Sequence, residues 1–67
     1  MTPLEAIGRL QNRSMYLADK VAQMVVEGRS TFWFEKDIEA CALAIEALEY
    51  LQAVRDYEAS QSQAPGV

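Results

Sequence analysis

The chain has 67 residues, of which 51% are hydrophobic, and a formal net charge of -4, with one cysteine and no histidine. A domain of this size buries only about 60% of its unfolded surface, so a disulfide, a metal or a partner chain usually adds stability. One cysteine excludes an intrachain disulfide, and the lack of histidine excludes the usual zinc and haem ligand sets. The composition therefore favours a partner chain and predicts no metal and no cofactor.

The charge is unevenly distributed, with +1 on residues 1–31 and -5 on residues 32–67. Because non-specific DNA binding requires several cations facing the phosphates, the acidic second half predicts no direct DNA binding. The first five residues do not resemble a signal peptide, and the longest apolar run, residues 40–45, is too short to span a bilayer. We expect a cytoplasmic protein that does not bind membranes.

The first predicted element is a helix over residues 3–27. Thr2 is a typical N-cap residue, Glu5 completes a capping box, and Pro3 suits the first helical position. Apolar residues then recur at steps of three and four until Gly28, a typical helix stop. The apolar face consists of Leu4, Ile7, Leu10, Leu17, Val21, Met24 and Val25, with Ser14 and Ala18 between them. Residues 28–31 form a short turn, in which either hydroxyl can cap the next helix.

The second predicted helix covers residues 32–59, and the polar segment 60–67, which contains Pro65, is predicted to be a disordered tail. One apolar stripe of this helix can face the first helix: Phe34, Ile38, Cys41, Ile45 and Leu48. A second apolar stripe, which we call the outer stripe, consists of Leu43, Ala47, Tyr50, Leu51, Val54 and Tyr57. The two stripes together cover about two thirds of the helix circumference, more than the arc of a typical surface helix.

One antiparallel neighbour cannot cover so wide an apolar arc. The predicted fold is therefore all-α, an antiparallel helical hairpin that forms a homo-oligomer through the outer stripe, as a four-helix dimer or a larger assembly. The alternative is that the outer stripe binds a different protein.

Three cations and a tyrosine follow one line on the first helix, which we call the basic stripe. It consists of Arg9, Arg13, Tyr16 and Lys20, at steps of four, three and four. Guanidinium groups can clamp a phosphate or carboxylate, and a tyrosine ring can stack on a base. The alternative is a solvated helix face. Near the turn, Arg29 and Trp33 are further candidates for ligand binding, although the aromatic run of residues 32–34 also suits packing under the turn.

Four carboxylates form an acidic ridge on the second helix: Glu35, Glu39, Glu46 and Glu49. They lie opposite the apolar arc, which favours a solvated face over a metal site and leaves a surface that mimics phosphates as an alternative. With no histidine and no glycine-rich phosphate loop, few groups remain for acid-base catalysis. The sequence predicts no enzyme.

Two segments resemble small proteins of phages and prophages. These proteins open with Met-Thr-x-x-Glu-Ala-Ile-x-x-Leu, as residues 1–10 do, and close with Glu-Ala-x-x-x-Ala-Ile-x-Ala-Leu-Glu, as residues 39–49 do. The resemblance covers about a third of the chain and implies a phage accessory protein in the cytoplasm of a bacterial host cell.

Among short helical phage proteins, two roles compete. Anti-CBASS and anti-Thoeris sponges are similar in shape and sequester cyclic nucleotide signals, whereas inhibitors of the anti-CRISPR type block a host defence nuclease. The function we expect is an anti-defence protein that sequesters a small anionic ligand, such as a cyclic nucleotide or an ADP-ribose-type signal. A protein inhibitor of a host defence nuclease and a structural oligomer without a ligand remain the alternatives.

Overall fold

The structure is a computed structural model that describes residues 1–63, with side chains up to residue 61. These residues are all-helical: α1 covers Pro3–Val26 and α2 covers Phe32–Gln63. The two helices pack against each other as an antiparallel hairpin, which confirms the predicted architecture of the single chain. Within residues 1–63, neither helix combines the length and hydrophobicity that crossing a bilayer requires.

The start of α1 is capped as predicted. Thr2 has extended backbone angles, and its hydroxyl oxygen accepts a hydrogen bond from the backbone N–H of Glu5 at 3.2 Å. The same hydroxyl donates to the Glu5 carboxylate at 3.2 Å. The carboxylate thus binds the capping side chain, whereas a standard capping box joins it to the backbone N–H of the cap residue.

The end of α1 is a Schellman motif around Gly28, whose φ of 72° lies in the left-handed region. The N–H of Arg29 donates to the carbonyl of Met24 at 2.8 Å, and that of Gly28 donates to Val25 at 3.1 Å. These are the two bonds that define the motif. They stop the helix at Val26 and fix the backbone position of Arg29.

Two hydroxyl-bearing residues precede α2, and both take part in its start. The Ser30 hydroxyl accepts from the N–H of Phe32 at 3.5 Å, and the Thr31 carbonyl accepts the first helical bond, from Glu35, at 2.9 Å. The helix continues to Gln63, so residues 60–63, which we expected in the tail, are helical. Between Phe32 and Pro65 the chain contains no glycine or proline. Residues 64–67 of the predicted tail lie outside the described residues.

The two helices meet along a seam with alternating steps of four and three residues, the pattern of coiled coils. On α1 the seam consists of Pro3, Ile7, Leu10, Ser14, Leu17, Val21 and Met24, all buried or half-buried. On α2 it consists of Phe34, Ile38, Cys41, Ile45, Leu48 and Gln52, all half-buried. The hydrophobic core of the described residues is small, with Leu17 at 2% and Met24 at 7% exposure.

Part of the apolar face predicted for α1 lies outside the seam. Leu4 and Val25 are each 64% exposed, and Ala18 is also exposed. Each of these residues follows a seam residue by one position, which turns its side chain about 100° away from α2. The predicted face was therefore wider than the strip that one neighbouring helix can cover.

Candidate functional site

Four of the six predicted ligand-binding residues lie around one depression near the turn. Arg13, Tyr16 and Lys20 come from α1, and Arg29 comes from the turn. The lining is completed by Gln23, Met24, Glu27 and Phe34. The depression has a volume of about 390 Å³ and is open to solvent on one side. We call it the basic groove.

The α-helical repeat places the three α1 residues beside the seam. Arg13, Tyr16 and Lys20 precede Ser14, Leu17 and Val21 of the seam by one position. Each side chain is therefore turned by about 100° from the buried strip, so its charged or polar end reaches solvent while its stem borders the core. Tyr16 is 50% exposed, and Lys20 is half-buried.

Tyr16 contacts the two α1 cations that line the groove. The guanidinium carbon of Arg13 lies 5.1 Å from the centre of the ring, and the Lys20 Nζ lies 5.6 Å from it. Cation-π contacts at exposed sites contribute about 0.5–1 kcal/mol each. Tyr16 therefore orients both of these cations at the edge of the groove.

The groove contains cations without a neighbouring counter-charge. Among the described residues, no carboxylate lies within 4.0 Å of the charged groups of Arg13 or Lys20. Arg29, in contrast, binds Glu27 at 3.3 Å, and both side chains are more than half exposed, at 63% and 54%. An exposed ion pair of this kind contributes little stability, so an anion entering the groove can compete with Glu27 for Arg29.

Arg9 and Trp33 do not line the groove. Arg9 is exposed, one turn closer to the start of α1 than Arg13. Trp33 is 74% exposed and contacts Phe32, with ring centres 5.0 Å apart and planes at 81°. The aromatic residue that does line the groove is Phe34, which is half-buried and also belongs to the seam.

Sequence reasoning missed Glu27 as well as Phe34. Glu27 follows Lys20 by seven residues, two helical turns along the same line, so its spacing contained the signal. Phe34 is on the other helix, and its place in the groove depends on how the two helices align.

The outer stripe of α2 is largely uncovered. Leu43, Tyr50 and Tyr57 are 69%, 75% and 66% exposed, and Leu51 is 38% exposed. Ala47 is exposed, and Val54 is half-buried. The hairpin thus leaves most of the predicted interface residues in solvent, as expected of an apolar arc wider than one neighbouring helix can cover.

The acidic ridge is exposed along its whole length. Glu39 binds Lys36 at 3.3 Å, three residues earlier in the same helix. No three potential ligands of the types His, Cys, Asp and Glu come together as a metal site among the described residues.

Comparison with known proteins adds no family assignment. No protein-family model matches the chain, and no curated protein or solved structure matches it. Its function is therefore inferred from the basic groove and the outer stripe.

Proposed function

We propose that the chain is a non-catalytic, self-associating binding module that sequesters a small anionic ligand, such as a nucleotide signal, in the basic groove. The observation that supports this most directly is the pair of cations, Arg13 and Lys20, that flank Tyr16 without a carboxylate partner. Guanidinium and ammonium groups bind phosphate through charge-assisted hydrogen bonds, about twice as strong as neutral ones. On a chain with a net charge of -4, a local cluster of cations favours a role in binding an anion.

Self-association is supported by the exposure of the outer stripe. A fully buried large apolar side chain contributes about 1.5–3 kcal/mol relative to an exposed one. Leu43, Tyr50 and Tyr57 contribute little of this in a lone hairpin, because each is at least 66% exposed. A second copy of the chain is the simplest partner, because it is present wherever the chain is.

The setting that we propose is an anti-defence protein of a phage. The resemblance of residues 1–10 and 39–49 to small phage proteins supports this setting. A protein inhibitor of a host defence nuclease is the second candidate, and the exposed acidic ridge supports it, because four carboxylates along one helix can imitate the phosphates of a nucleic acid. A structural oligomer without a ligand is the third.

Calorimetry with a panel of cyclic dinucleotides, cyclic trinucleotides and ADP-ribose derivatives tests the proposed ligand class. At least one compound should bind, and Arg13→Ala should weaken that binding by about 1.5–3 kcal/mol, the range for a lost hydrogen bond to a charged group. Arg55→Ala is the matched control, because it removes the same charge from an exposed position of α2 that does not line the groove.

Two results would contradict the proposal. If no compound of the panel binds, the chain does not sequester these signals. If Arg55→Ala weakens binding as much as Arg13→Ala does, the anion responds to overall charge and not to the groove.

A further inference from the structure

The hairpin has two faces, and the seam defines what lies on each of them. In an antiparallel pair of helices, positions that precede the seam residues lie on the same face of the pair in both helices, and positions that follow them lie on the opposite face. The basic groove opens on the first of these faces, because Arg13, Tyr16 and Lys20 of α1 line it beside the seam residue Phe34 of α2.

The first face, which we call the basic face, combines cations on α1 with apolar residues on α2. Its α1 half consists of Arg9, Arg13, Tyr16, Lys20 and Gln23. Its α2 half is apolar except for one acid, and consists of Trp33, Asp37, Ala40, Ala44, Ala47, Leu51 and Val54. The residues Leu43, Tyr50 and Tyr57 continue this apolar surface around the outer edge of α2.

The opposite face, which we call the acidic face, has the reverse arrangement. Its α1 half carries no charge and is apolar or small except for one glutamine: Leu4, Gly8, Gln11, Met15, Ala18, Ala22 and Val25. Leu4, Met15 and Val25 are 64%, 67% and 64% exposed, and a Cβ added to Gly8 would meet nothing within 4 Å. Its α2 half carries the acidic ridge, Glu35, Glu39, Glu46 and Glu49.

Electrostatics decides how such faces can meet. Consider first two copies that join through the same face, with α1 on α1 and α2 on α2. Two basic faces then bring cations against cations, and two acidic faces bring acids against acids, which is unfavourable. If one copy is instead turned so that α1 of each copy lies on α2 of the other, the charged helix meets a mostly apolar one, and Asp37 is the single opposite charge that two basic faces offer. The basic face of one copy against the acidic face of another pairs a row of cations with a row of acids and, beside them, the two exposed apolar surfaces.

We propose that the protein assembles head to tail with copies of itself, the acidic face of one copy packing on the basic face of the next. The second copy is turned by 180°, so that its α2 lies along the α1 of the first and its α1 lies along the α2 of the first. The acidic ridge then meets the basic stripe, and the apolar half of the acidic face covers part of the outer stripe.

The spacing of the charges supports this alignment. The cations at positions 9, 13 and 20 are separated by four and seven residues, and so are the acids at positions 35, 39 and 46. In the proposed arrangement these two helices run parallel, so a constant shift of 26 positions pairs all three at once. The three pairs extend over eleven residues, about 16 Å of helix. The same shift lets two hairpins overlap along nearly the whole of α1.

This packing has two consequences. It uses a different surface on each copy, so every copy keeps one free face and assembly continues into a chain unless the geometry closes a ring. It also places a carboxylate of the neighbouring copy beside the cations of the basic groove. If the proposed anion binding is correct, the acidic ridge of a second copy competes with the ligand for Arg13 and Lys20.

A charge exchange tests the alignment, with sedimentation velocity of the full chain over a range of concentrations as the measurement. Lys20→Glu and Glu46→Lys should each weaken association by about tenfold or more, because each places like charges together. The variant with both changes restores an opposite pair and should associate within about threefold of the unmodified chain. Circular dichroism establishes that each variant keeps its helices. Asp19→Lys makes the same charge change as Glu46→Lys on the outer edge of α1, away from both faces, and should not weaken association.

The proposal is overturned if the unmodified chain does not associate, if the double variant associates no better than the single ones, or if Asp19→Lys acts like Glu46→Lys. The proposed anion binding is tested independently of the proposed assembly. Glu46 does not line the groove, so Glu46→Lys should bind an anion of the panel at least as well as the unmodified chain. If charge exchange restores association but no compound binds either form, the assembly is correct and the proposed ligand is wrong.

Discussion

Gly8 lies in the interior of α1, where glycine is about 1 kcal/mol less favourable than alanine. Nothing in the hairpin requires it, because an added Cβ would meet no atom within 4 Å. Gly28 differs in this respect, since its φ of 72° belongs to a region that other residues avoid. The same residue type is therefore a cost at one position and a requirement at the other.

The substitutions Gly8→Ala and Gly28→Ala should change stability in opposite directions. Gly8→Ala should raise the free energy of unfolding by about 0.5–1 kcal/mol, because alanine restricts the unfolded chain and favours the helix. Gly28→Ala should lower it by about 1 kcal/mol or more, because alanine is strained at positive φ. Urea denaturation at the lowest measurable chain concentration gives both values. A loss of stability in Gly8→Ala under those conditions would mean that the residue packs against something that the hairpin lacks.

At the scale of the helices, α1 and α2 differ in how their apolar residues are arranged. The apolar residues of α1 gather mostly toward one side, whereas those of α2 extend around the helix. Only the seam of α2 is covered, and it is covered by one neighbour. As a result no described residue of α2 is fully buried, and the two core residues, Leu17 and Met24, both come from α1.

Stability of the hairpin should therefore depend on very few side chains. Leu17→Ala removes the largest fully buried side chain and should cost about 2–4 kcal/mol, a large part of what a domain this small possesses. Leu43→Ala, a change of the same size at a position that is 69% exposed, should stay within about 0.5 kcal/mol in the unassociated hairpin. Thermal unfolding followed by circular dichroism measures both. Equal losses in the two variants would show that Leu43 is buried in the molecule under study.

Local signals were sufficient to predict the helix ends that depend on neighbouring residues. The hydroxyl of Thr2 and the left-handed angle of Gly28 act over three or four positions, so the sequence contains the whole interaction. The width of the seam depends on the partner helix, and for this reason Leu4 and Val25 were wrongly included in the buried face. The predicted end of α2 lies four residues too early, because the polar composition of the segment resembles a tail although glutamine and alanine are good helix formers.

For the whole molecule, the small core and the exposed outer stripe have one common consequence. A hairpin whose folded form is stabilised by a second copy becomes more stable as the chain concentration rises, by mass action. The midpoint of thermal unfolding should therefore increase with concentration, and a lone 7.5 kDa species should not dominate at high concentration.

Replacing Leu43 and Tyr50 together by serine should weaken this dependence, because they border the proposed interface, while the helical content of the chain is kept. Both side chains are exposed in the hairpin, so their loss costs little there, but it removes apolar area from the outer stripe. Val26→Ser is the control, because Val26 is 87% exposed and lies outside the outer stripe. Analytical ultracentrifugation compares the three chains. An unmodified chain that stays monomeric would remove the basis of the self-association proposal.

The sequence predicts the cations and the tyrosine of the candidate site, which lie on or next to α1, but not the phenylalanine that lies on α2. Arg13, Tyr16 and Lys20 lie on one helix, where spacing alone brings them together, and Arg29 follows the same helix by one turn of chain. Phe34 belongs to the other helix, so its place depends on the alignment of the seam. Trp33, its neighbour in sequence, was preferred because exposed tryptophan and arginine are common at binding sites, but one position of helical rotation places it outside the groove.

The groove is located at the closed end of the hairpin, next to the turn whose backbone is held by the Schellman motif. Fraying of a two-helix structure starts where the chain termini are, at the opposite end, since the residues beside a short turn need little loop entropy to stay together. Partial separation of the helices from the termini can therefore expose the first seam residues of α1, Pro3, Ile7 and Leu10, before it reaches Arg13. Binding of an anion in the groove would not require the two helices to be packed along their whole length.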